Sequence, residues 1–472
     1  MLGLEPQIQT VRRLQPMLLT GRVHALRGLT VLVRDLPMPI GSLVRLPRAS
    51  ADDRDDALGE VIGFDGRHAI VMMLSSTSGV SAGDEVIGLH AQQSVGVGPS
   101  MLGRIVNGLG RPIDGKGPLH GMTPRPLDPE PISPMRRARI TQPLATGIRA
   151  IDLMTTLGRG QRMGVFAGPG VGKSTLLGCV TKNTEADVCV VALIGERGRE
   201  VRDFIEHTLC EAGMRKSILV VATSDESALM RVRAALAACS VAEYFRDQGK
   251  AVLLIMDSVT RFAHAQRQIG LSVGEPPATR GYTPSVFAAM ARLLERAGCL
   301  AASSDSVAPS LGHSVTSGSI TGLYSVLVEG DDMTEPVADA ARGILDGHIM
   351  LSRAIAQRGQ YPAIDVLDSI SRVADDVCPP EHSHARRQIV RLMAAYKNVE
   401  DLVQIGAYAK GSSPEADIAI RYRQPILDLL QQGRNETEKF ELSRKRLYAL
   451  AMETGSEFHK LTGSKKPEPR KT

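Results

Sequence analysis

Short apolar runs of β type follow one another between Thr20 and about Ala91, separated by turn residues at close intervals. They span 29–33, 43–46, 61–64, 69–74 and 85–89, and Asp65-Gly66 separates two of them. Evenly spaced short strands with turn signals between them are typical of a small closed β structure. We therefore predict an N-terminal β-barrel domain over residues 19–95.

The middle of the chain alternates apolar runs with helical patterns. Strand-like runs at 163–167, 188–194, 217–221 and 251–256 are separated by helical stretches at 200–211 and 228–248. This alternation is typical of βαβ units and of a mostly parallel sheet. We predict an α/β domain over residues 96–376. The glycine-rich stretch 99–118 would connect it to the barrel, and the proline-rich stretch 124–134 would run extended along its surface.

Both ends of the chain have helical spacing. Residues 1–18 carry one apolar stripe, which would pack on the next domain or dock on a partner, and the residues leave both options open. Residues 379–460 lose the strand pattern and place apolar residues at helical intervals. We predict a C-terminal helical domain over 377–472, with its last dozen polar residues disordered.

The stretch 165–175, VFAGPGVGKST, joins a predicted strand to a predicted helix through a glycine-rich turn. Backbone N–H groups in such a turn, and at the start of the following helix, bind phosphate oxygens. We expect Lys173 to reach the β- and γ-phosphates of a nucleotide and the Ser174 hydroxyl to ligate Mg²⁺. Ala167 departs from the strict pattern, which has glycine at that position. The predicted nucleotide-binding residues of this loop are Gly168, Gly170, Val171, Gly172, Lys173, Ser174 and Thr175.

Charged residues follow two further predicted strands. Asp257 ends a buried apolar run, where we expect it to approach Mg²⁺ through water, although it could also cap the next helix. Glu196 and Arg197 lie in the stretch GERGRE after the run 188–194. Since ligands bind at the carboxyl ends of parallel strands, Glu196 could align or deprotonate a water and Arg197 could face the γ-phosphate. A surface salt-bridge cluster that opens a helix is the alternative.

Composition restricts the partners. The net charge is +5, much of it in the terminal tail, and aromatic residues make up 3% of the chain with no tryptophan, so a stacking platform for nucleic acid has little material. Six cysteines without CxxC spacing favour reduced thiols over a zinc site, and Glu381, His382 and His384 are predicted to form a solvated turn. With no signal peptide or long apolar span, we expect a soluble intracellular protein unless a partner recruits it to a membrane.

Six stretches together carry a family resemblance. They are AGPGVGKST, GERGRE, LLIMDSVTRFAHAQR, GEPPATRGYTPS, VEGDDMTEPVADAARGILDGHIMLSR and YPAIDVLDSISR. The chain resembles the flagellar and type III secretion export ATPases, which are relatives of the catalytic β subunit of ATP synthase. The resemblance runs in order from about residue 20 to about residue 460. It implies a RecA-like P-loop NTPase core between the barrel and the helical domain.

The resemblance also implies roles for single residues. Lys173 and Ser174 match the family's phosphate and magnesium residues, and Tyr361 matches a tyrosine that lines the adenine pocket. The stretch 302–319 looks longer than its family counterpart. The implied catalytic residues are Lys173, Glu196 as the carboxylate, Arg197 beside it, and Arg372 as an arginine finger that acts on the neighbouring subunit's nucleotide.

The function implied by the resemblance is Mg²⁺-dependent ATP hydrolysis that drives or assists protein export through the flagellar type III secretion apparatus. The implied assembly is a cytoplasmic homohexamer recruited peripherally to the inner-membrane face. Implied partners are a regulatory, stator-like protein at the N-terminal helix, a central stalk-like protein, export chaperones and substrates, and indirectly the membrane export gate. Nucleic acid is not among them.

Four other functions stay open at this point. The ATPase of a virulence injection system shares every catalytic motif. An ATP synthase catalytic subunit fits the GERGRE and EGDDMTEPVAD stretches less well. A non-hydrolysing regulatory subunit would lack the carboxylate at Glu196. A ring-shaped RNA translocase on the same core is disfavoured by the low aromatic content.

Overall fold

The computed structural model describes residues 18–47, 56–90, 93–301, 318–328, 330 and 332–462. The predicted docking helix, apart from residue 18, lies outside these residues. So do most of the long loop 302–319 and most of the polar tail. Within the described ranges, no helix combines the length and the apolar character needed to cross a bilayer.

Six antiparallel strands close into the predicted barrel in the order β1-β2-β5-β4-β3-β6. Its core consists of inward-facing apolar residues such as Val31, Val33 and Val71, which are fully buried. The Asp65-Gly66 turn joins two neighbouring strands, with Gly66 at a φ of 58°. The strands are β1 (Thr20–Arg27), β2 (Thr30–Arg34), β3 (Leu43–Leu46), β4 (Ala57–Asp65), β5 (His68–Met73) and β6 (Glu85–His90).

The central sheet has the order β17-β16-β10-β15-β13-β11-β12-β8, with β14 paired beside β15 and with β7 and β9 forming a separate ribbon. All neighbouring pairs are parallel except β16 with β17 and β14 with β15, so the predicted parallel sheet is confirmed. The strands are β7 (Ser94–Val97), β8 (Ile105–Asn107), β9 (Thr123–Pro126), β10 (Arg162–Ala167), β11 (Val188–Glu196), β12 (Ser217–Thr223), β13 (Ala251–Asp257), β14 (Gly298–Cys299), β15 (Ser319–Leu327), β16 (Gly347–Leu351) and β17 (Ile364–Ser371).

Helices cover both faces of this sheet. Alternate residues of β11 enter opposite layers: Val190 and Ala192 pack in one core, and Val191 and Leu193 in the other. Such two-sided burial explains why the strand is apolar at successive positions. The helices are α1 (Arg149–Met154), α2 (Lys173–Asn183), α3 (Gly198–Asp203), α4 (Cys210–Met214), α5 (Ala228–Arg246), α6 (Val259–Ser272), α7 (Pro284–Leu294), α8 (Pro336–Ile344), α9 (Arg353–Gln357), α10 (Ala374–Val377), α11 (Pro380–Gln404), α12 (Pro414–Leu430) and α13 (Phe440–Thr462).

Three details differ from the sequence predictions. The glycine-rich stretch 99–118 is more than a connector, because β8 within it forms an edge strand of the central sheet. The predicted helix 200–211 is interrupted by a π-helical turn, Phe204–Leu209, whose wider turn keeps the buried Phe204 and Leu209 on one face. The predicted turn at 381–384 is the first turn of α11, where His382 is fully buried and its Nε2 lies 2.9 Å from the Leu153 carbonyl oxygen.

A buried ion pair joins the barrel to the sheet domain. Arg233 on α5 lies 3.5 Å from the Glu60 carboxylate on β4 and donates to the Ser94 carbonyl at 3.2 Å. Both side chains are less than a tenth exposed. Burial raises the pKa of Glu60 to about 7, although the charge of Arg233 opposes that shift. Met72 and Leu74 pack beside this pair into the core of the sheet domain.

The last three helices, α11 to α13, form the predicted C-terminal helical domain. Their apolar faces pack on one another and on α1, which precedes the β10 strand. Ile389, Ile418 and Leu447 are buried where the three helices meet. The helical domain therefore lies on the same layer of the sheet as α2.

Candidate nucleotide and catalytic site

Three parallel strands end at one edge of the sheet and bring three predicted residues together. The glycine-rich loop follows β10, Glu196 ends β11, and Asp257 ends β13 in register with Leu193. The Lys173 ammonium contacts the Asp257 carboxylate, and its Nζ lies 3.7 Å from Oε1 of Glu196. All three side chains are at most 11% exposed.

The backbone of the loop explains its glycines. Gly170 has a φ of 78° and Gly172 has a φ of 94°, both in the left-handed region that favours glycine. Gly172 is the N-cap residue of α2, so Lys173 is the first residue of that helix. Ser174 is exposed at the same helix end. Ala167 ends β10 in register with Leu327 and Leu351, so no glycine is needed there.

A hydrogen bond from the neighbouring strand β15 orients Asp257 toward this loop. The Ser325 hydroxyl of β15 donates to its Oδ1 at 2.6 Å. The cap of α6 is Ser258, whose hydroxyl accepts from the Arg261 N–H at 3.4 Å. The interpretation of Asp257 as a helix cap is therefore wrong.

Glu196 has the environment of a base that works near neutral pH. Burial raises its pKa to about 7 and the nearby charge of Asp257 adds to the rise, whereas Lys173 and Arg261 oppose it. Its buried Oε1 accepts no hydrogen bond from the described residues. This oxygen therefore keeps the free acceptor that a general base requires.

Arg197 does not face this cluster. It is the N-cap residue of α3, its side chain is 77% exposed, and it lies 3.6 Å from the Glu200 carboxylate. The surface salt-bridge interpretation thus fits Arg197 in this structure, whereas Glu196 points inward. A role for Arg197 at the γ-phosphate stays a prediction.

Arg261, to which we assigned no role from the sequence, occupies the place expected for Arg197. Its guanidinium donates to the Gly195 carbonyl at 2.5 Å and to Oε2 of Glu196 at 3.3 Å. Gly195 has a φ of 70°, and a Cβ there would lie 2.9 Å from Cδ of Arg261. Arg261 follows Asp257 by about one helical turn, and this spacing could have identified Arg261 from the sequence.

A cavity of about 300 Å³ continues from the loop toward the C-terminal helices. Tyr361 forms one wall, and a Cβ added at Gly172 would lie 3.7 Å from its ring. Gln432, Gly433 and Arg434, which we did not predict, also line the cavity. An apolar and aromatic cavity beside a phosphate loop is suited to a nucleotide base.

Arg372 lies at the opposite edge of the sheet. Its N–H donates to the Asp346 carbonyl at 3.0 Å, and its neighbour Ser371 pairs with Gly347 at the start of β16. The loop edge is at the other end of β16, where Leu351 pairs with Ala167, so roughly 13 Å separate the two edges at 3.3 Å per residue. Arg372 is exposed and has no ion pair with the described residues.

The donor set suits magnesium. Ser174 and Asp257 offer hard oxygen ligands beside the phosphate loop, and Mg²⁺ usually takes one or two protein ligands together with phosphates and waters. Within the described ranges no cluster of three or more His, Cys, Asp or Glu residues could form a complete protein cage for a metal. The residues therefore fit an ion that a nucleotide would bring with it.

Models of three known domains match consecutive parts of the chain. The β-barrel domain of the ATP synthase alpha/beta family matches 39–90, and its nucleotide-binding domain matches 147–371. The T3SS EscN ATPase C-terminal domain matches 378–449. The flagellum-specific ATP synthase of Treponema pallidum is 48% identical over 435 residues, which are 91% of this chain and 93% of that protein. The chain belongs to the family of flagellar and type III secretion ATPases.

Other members of this ATPase family are similarly close. The type 3 secretion system ATPase of Xanthomonas euvesicatoria is 46% identical over 424 residues, covering 89% of this chain and 91% of the relative. The structure of the assembled ATPase EscN from enteropathogenic E. coli, in complex with its central stalk EscO, has a TM-score of 0.81 and 40% identity. It covers 91% of this chain and 100% of EscN. These matches confirm the predicted family, the three-part fold and the ATPase activity.

Proposed function

We propose that this ATPase hydrolyses ATP with Mg²⁺ to drive or assist protein export through a flagellar type III secretion apparatus, releasing chaperones and unfolding substrates. The observation that carries the proposal is the buried cluster of Lys173, Glu196 and Asp257 at the end of the phosphate loop. Export by a virulence secretion system is the second candidate, because a type 3 secretion ATPase is nearly as similar as the flagellar relative.

Each residue of the cluster has one task. Lys173, the first residue of α2, binds the β- and γ-phosphate oxygens. Glu196 orients a water and takes its proton as the water oxygen bonds to the γ-phosphorus and ADP leaves. Ser174, and Asp257 through water, would hold Mg²⁺, which neutralises charge on the phosphate oxygens.

We further propose that the active form is a homohexameric ring. Arg372 is exposed at the edge of the sheet away from its own phosphate loop, which supports a role at a neighbouring subunit's nucleotide. A guanidinium suits that role because its fork of donors matches phosphate oxygens. EscN binds a central stalk, and we propose a stalk-like partner here also.

The remaining assignments extend this proposal. Residues 1–18 dock a regulatory, stator-like protein, 19–95 form the barrel domain, 96–376 the ATPase domain and 377–472 the helical domain. Export chaperones and substrates are further partners, and the membrane export gate is an indirect one. The ring is cytoplasmic and recruited peripherally to the inner membrane, with no nucleic acid partner.

Two measurements test the proposal. Specific ATPase activity of the purified chain should rise steeply with protein concentration as rings form, because each site needs a neighbour. In a flagellated bacterium lacking its own flagellar ATPase, the full chain should restore swimming, and Lys173→Ala should not. Restored secretion in a virulence-system mutant without restored swimming would select the second candidate.

A further inference from the structure

The segment between α12 and α13 brings the C-terminal domain into the nucleotide cavity. Gln432, Gly433 and Arg434 line the cavity together with Tyr361 and residues of the phosphate loop. The base end of the cavity is therefore built from two domains. Its shape depends on how this segment is held against α1 and the Tyr361 loop.

Gln432 uses both polar atoms of its side chain and its backbone N–H to make that connection. Its side-chain oxygen accepts from the Arg149 N–H at 2.8 Å, and its amide nitrogen donates to the carbonyls of Gly147 at 2.7 Å and Glu436 at 2.8 Å. Its backbone N–H donates to the Tyr361 carbonyl at 2.9 Å. The Gln432 side chain is buried, so bulk water could not easily replace either bond that its amide nitrogen donates.

Arg149 holds the rest of the segment. It is the first residue of α1 and is 4% exposed. Its Nε donates to the Leu429 carbonyl at 2.9 Å, and its two terminal nitrogens contact the Gln431 carbonyl and the Glu436 carboxylate. A buried guanidinium is tolerated only when it is paired in this way. Separating the segment from α1 would leave the Arg149 charge unpaired, which is energetically unfavourable.

Tyr361 and Pro362 are incompletely packed, since Tyr361 is exposed and Pro362 is only half-buried. Pro362 lines both the nucleotide cavity and a second cavity of about 350 Å³, which Gln360 and Gln431 also line. Atoms that line a cavity lack packing contacts on that side. Hydrogen bonds, including the one from Gln432, therefore fix the position of these two residues.

We propose that Gln432, held by Arg149, is a positioning residue for the base end of the nucleotide site. It acts through the Tyr361 backbone and the wall 432–434, and not on the phosphates. Binding of the base and docking of the C-terminal helices on α1 then stabilise each other, since both require the same connected segment. This inference rests on the nucleotide site described under the proposed function.

The test compares ATP with inorganic tripolyphosphate, which has the phosphates but no base. Gln432→Glu keeps the size of the side chain and its acceptor for Arg149 but loses both amide donors. We expect KM for ATP to rise about tenfold with kcat at saturating ATP nearly unchanged, as for one or two lost hydrogen bonds that act on binding. Competitive inhibition by tripolyphosphate should stay unchanged.

Two further variants complete the experiment. Tyr422→Phe removes a hydrogen bond of 3.0 Å to Glu453 within the C-terminal domain, away from the cavity, and should leave KM unchanged. Glu436→Gln weakens the partner of Arg149 at a half-exposed position, so it tests the same connection if Gln432→Glu does not fold. Equal weakening of ATP and tripolyphosphate, or no change in either, would overturn the proposal. Failure of the wild-type chain to bind ATP would instead refute the site itself.

Discussion

The two edges of the central sheet differ in whether their charged groups have partners within the described chain. At the carboxyl edge, Lys173, Glu196 and Asp257 contact one another and are largely buried. At the opposite edge, Arg372 is exposed and has no carboxylate partner among the described residues. The buried charged groups find their partners within the same chain. An exposed guanidinium needs a partner from outside before it can act on an anion.

The largest expected effect breaks the link between the two edges. Arg372→Ala should bind ATP normally and lose about 10³- to 10⁵-fold in kcat, the contribution of an arginine finger in phosphoryl transfer. Lys173→Ala should be inactive for a different reason, because it lacks the cation at its own phosphate loop. Mixing the two variants should restore part of the activity at interfaces where an intact Lys173 meets an intact Arg372. ATP turnover in the mixture, measured against each variant alone, checks this.

Rings shown to be mixed but inactive would contradict a trans-acting Arg372. So would full activity of Arg372→Ala by itself. In either case the exposed edge would have only a structural role, and the contrast between the two edges would have no catalytic meaning.

The second effect concerns the buried edge alone. Glu196→Gln keeps the shape of the side chain and removes the base, so hydrolysis should fall by about 10²- to 10⁴-fold while nucleotide binding persists. Single-turnover hydrolysis together with a binding titration separates the two quantities. Wild-type turnover in this variant would show that Glu196 serves only as a partner of Lys173 and Arg261.

A third, smaller effect appears in the pH profile. Glu196 acts as a base only when ionised, and its pKa is raised to about 7, so kcat should fall as the pH drops through 7. Arg261 lowers that pKa through its positive charge, so Arg261→Ala should move the profile to higher pH. The expected loss in kcat at pH 7 is about fivefold for a shift of one pH unit, because the ionised fraction falls from about one half to about one eleventh. An unshifted profile would mean that Arg261 does not influence the base.

The smallest effect concerns the support of Asp257. Ser325→Ala removes the hydroxyl that donates to the Asp257 carboxylate at 2.6 Å. We expect the free energy of unfolding to fall by about 1.5 kcal/mol, the lower end of the range for a hydrogen bond to a charged group. Denaturant melts of the variant and the wild type measure this. A change in kcat larger than that of Arg261→Ala would show that Ser325 does more than hold Asp257.

Strand order explains which residues the sequence predicted well. Lys173, Glu196 and Asp257 each follow an apolar run, and parallel strands bring such positions to one edge. Arg197 adjoins Glu196 in sequence but lies outside the cluster, because α3 begins there and its side chain is exposed. Arg261 is 65 positions from Glu196 and reaches it only because β13 pairs with β11.

Other features depend on contacts that no local pattern reveals. Gln432 meets Arg149 across 283 positions, so the wall it forms could not be read from the spacing of either segment. The β8 strand is three residues long, and a run that short gives almost no periodic signal within a glycine-rich stretch. The π-helical turn at 204–209 is set by what its side chains bury.

The ion pair between Glu60 and Arg233 has a practical consequence for dissecting the molecule. A fragment that began at residue 93 would retain Arg233 and lose its carboxylate partner, together with the cover that Met72 and Leu74 provide. Its new surface would combine an isolated cation with a bare apolar patch, a combination that promotes aggregation. Fragments for biochemical work on the ATPase core should therefore include the barrel. A fragment without the barrel would need Arg233 to be replaced.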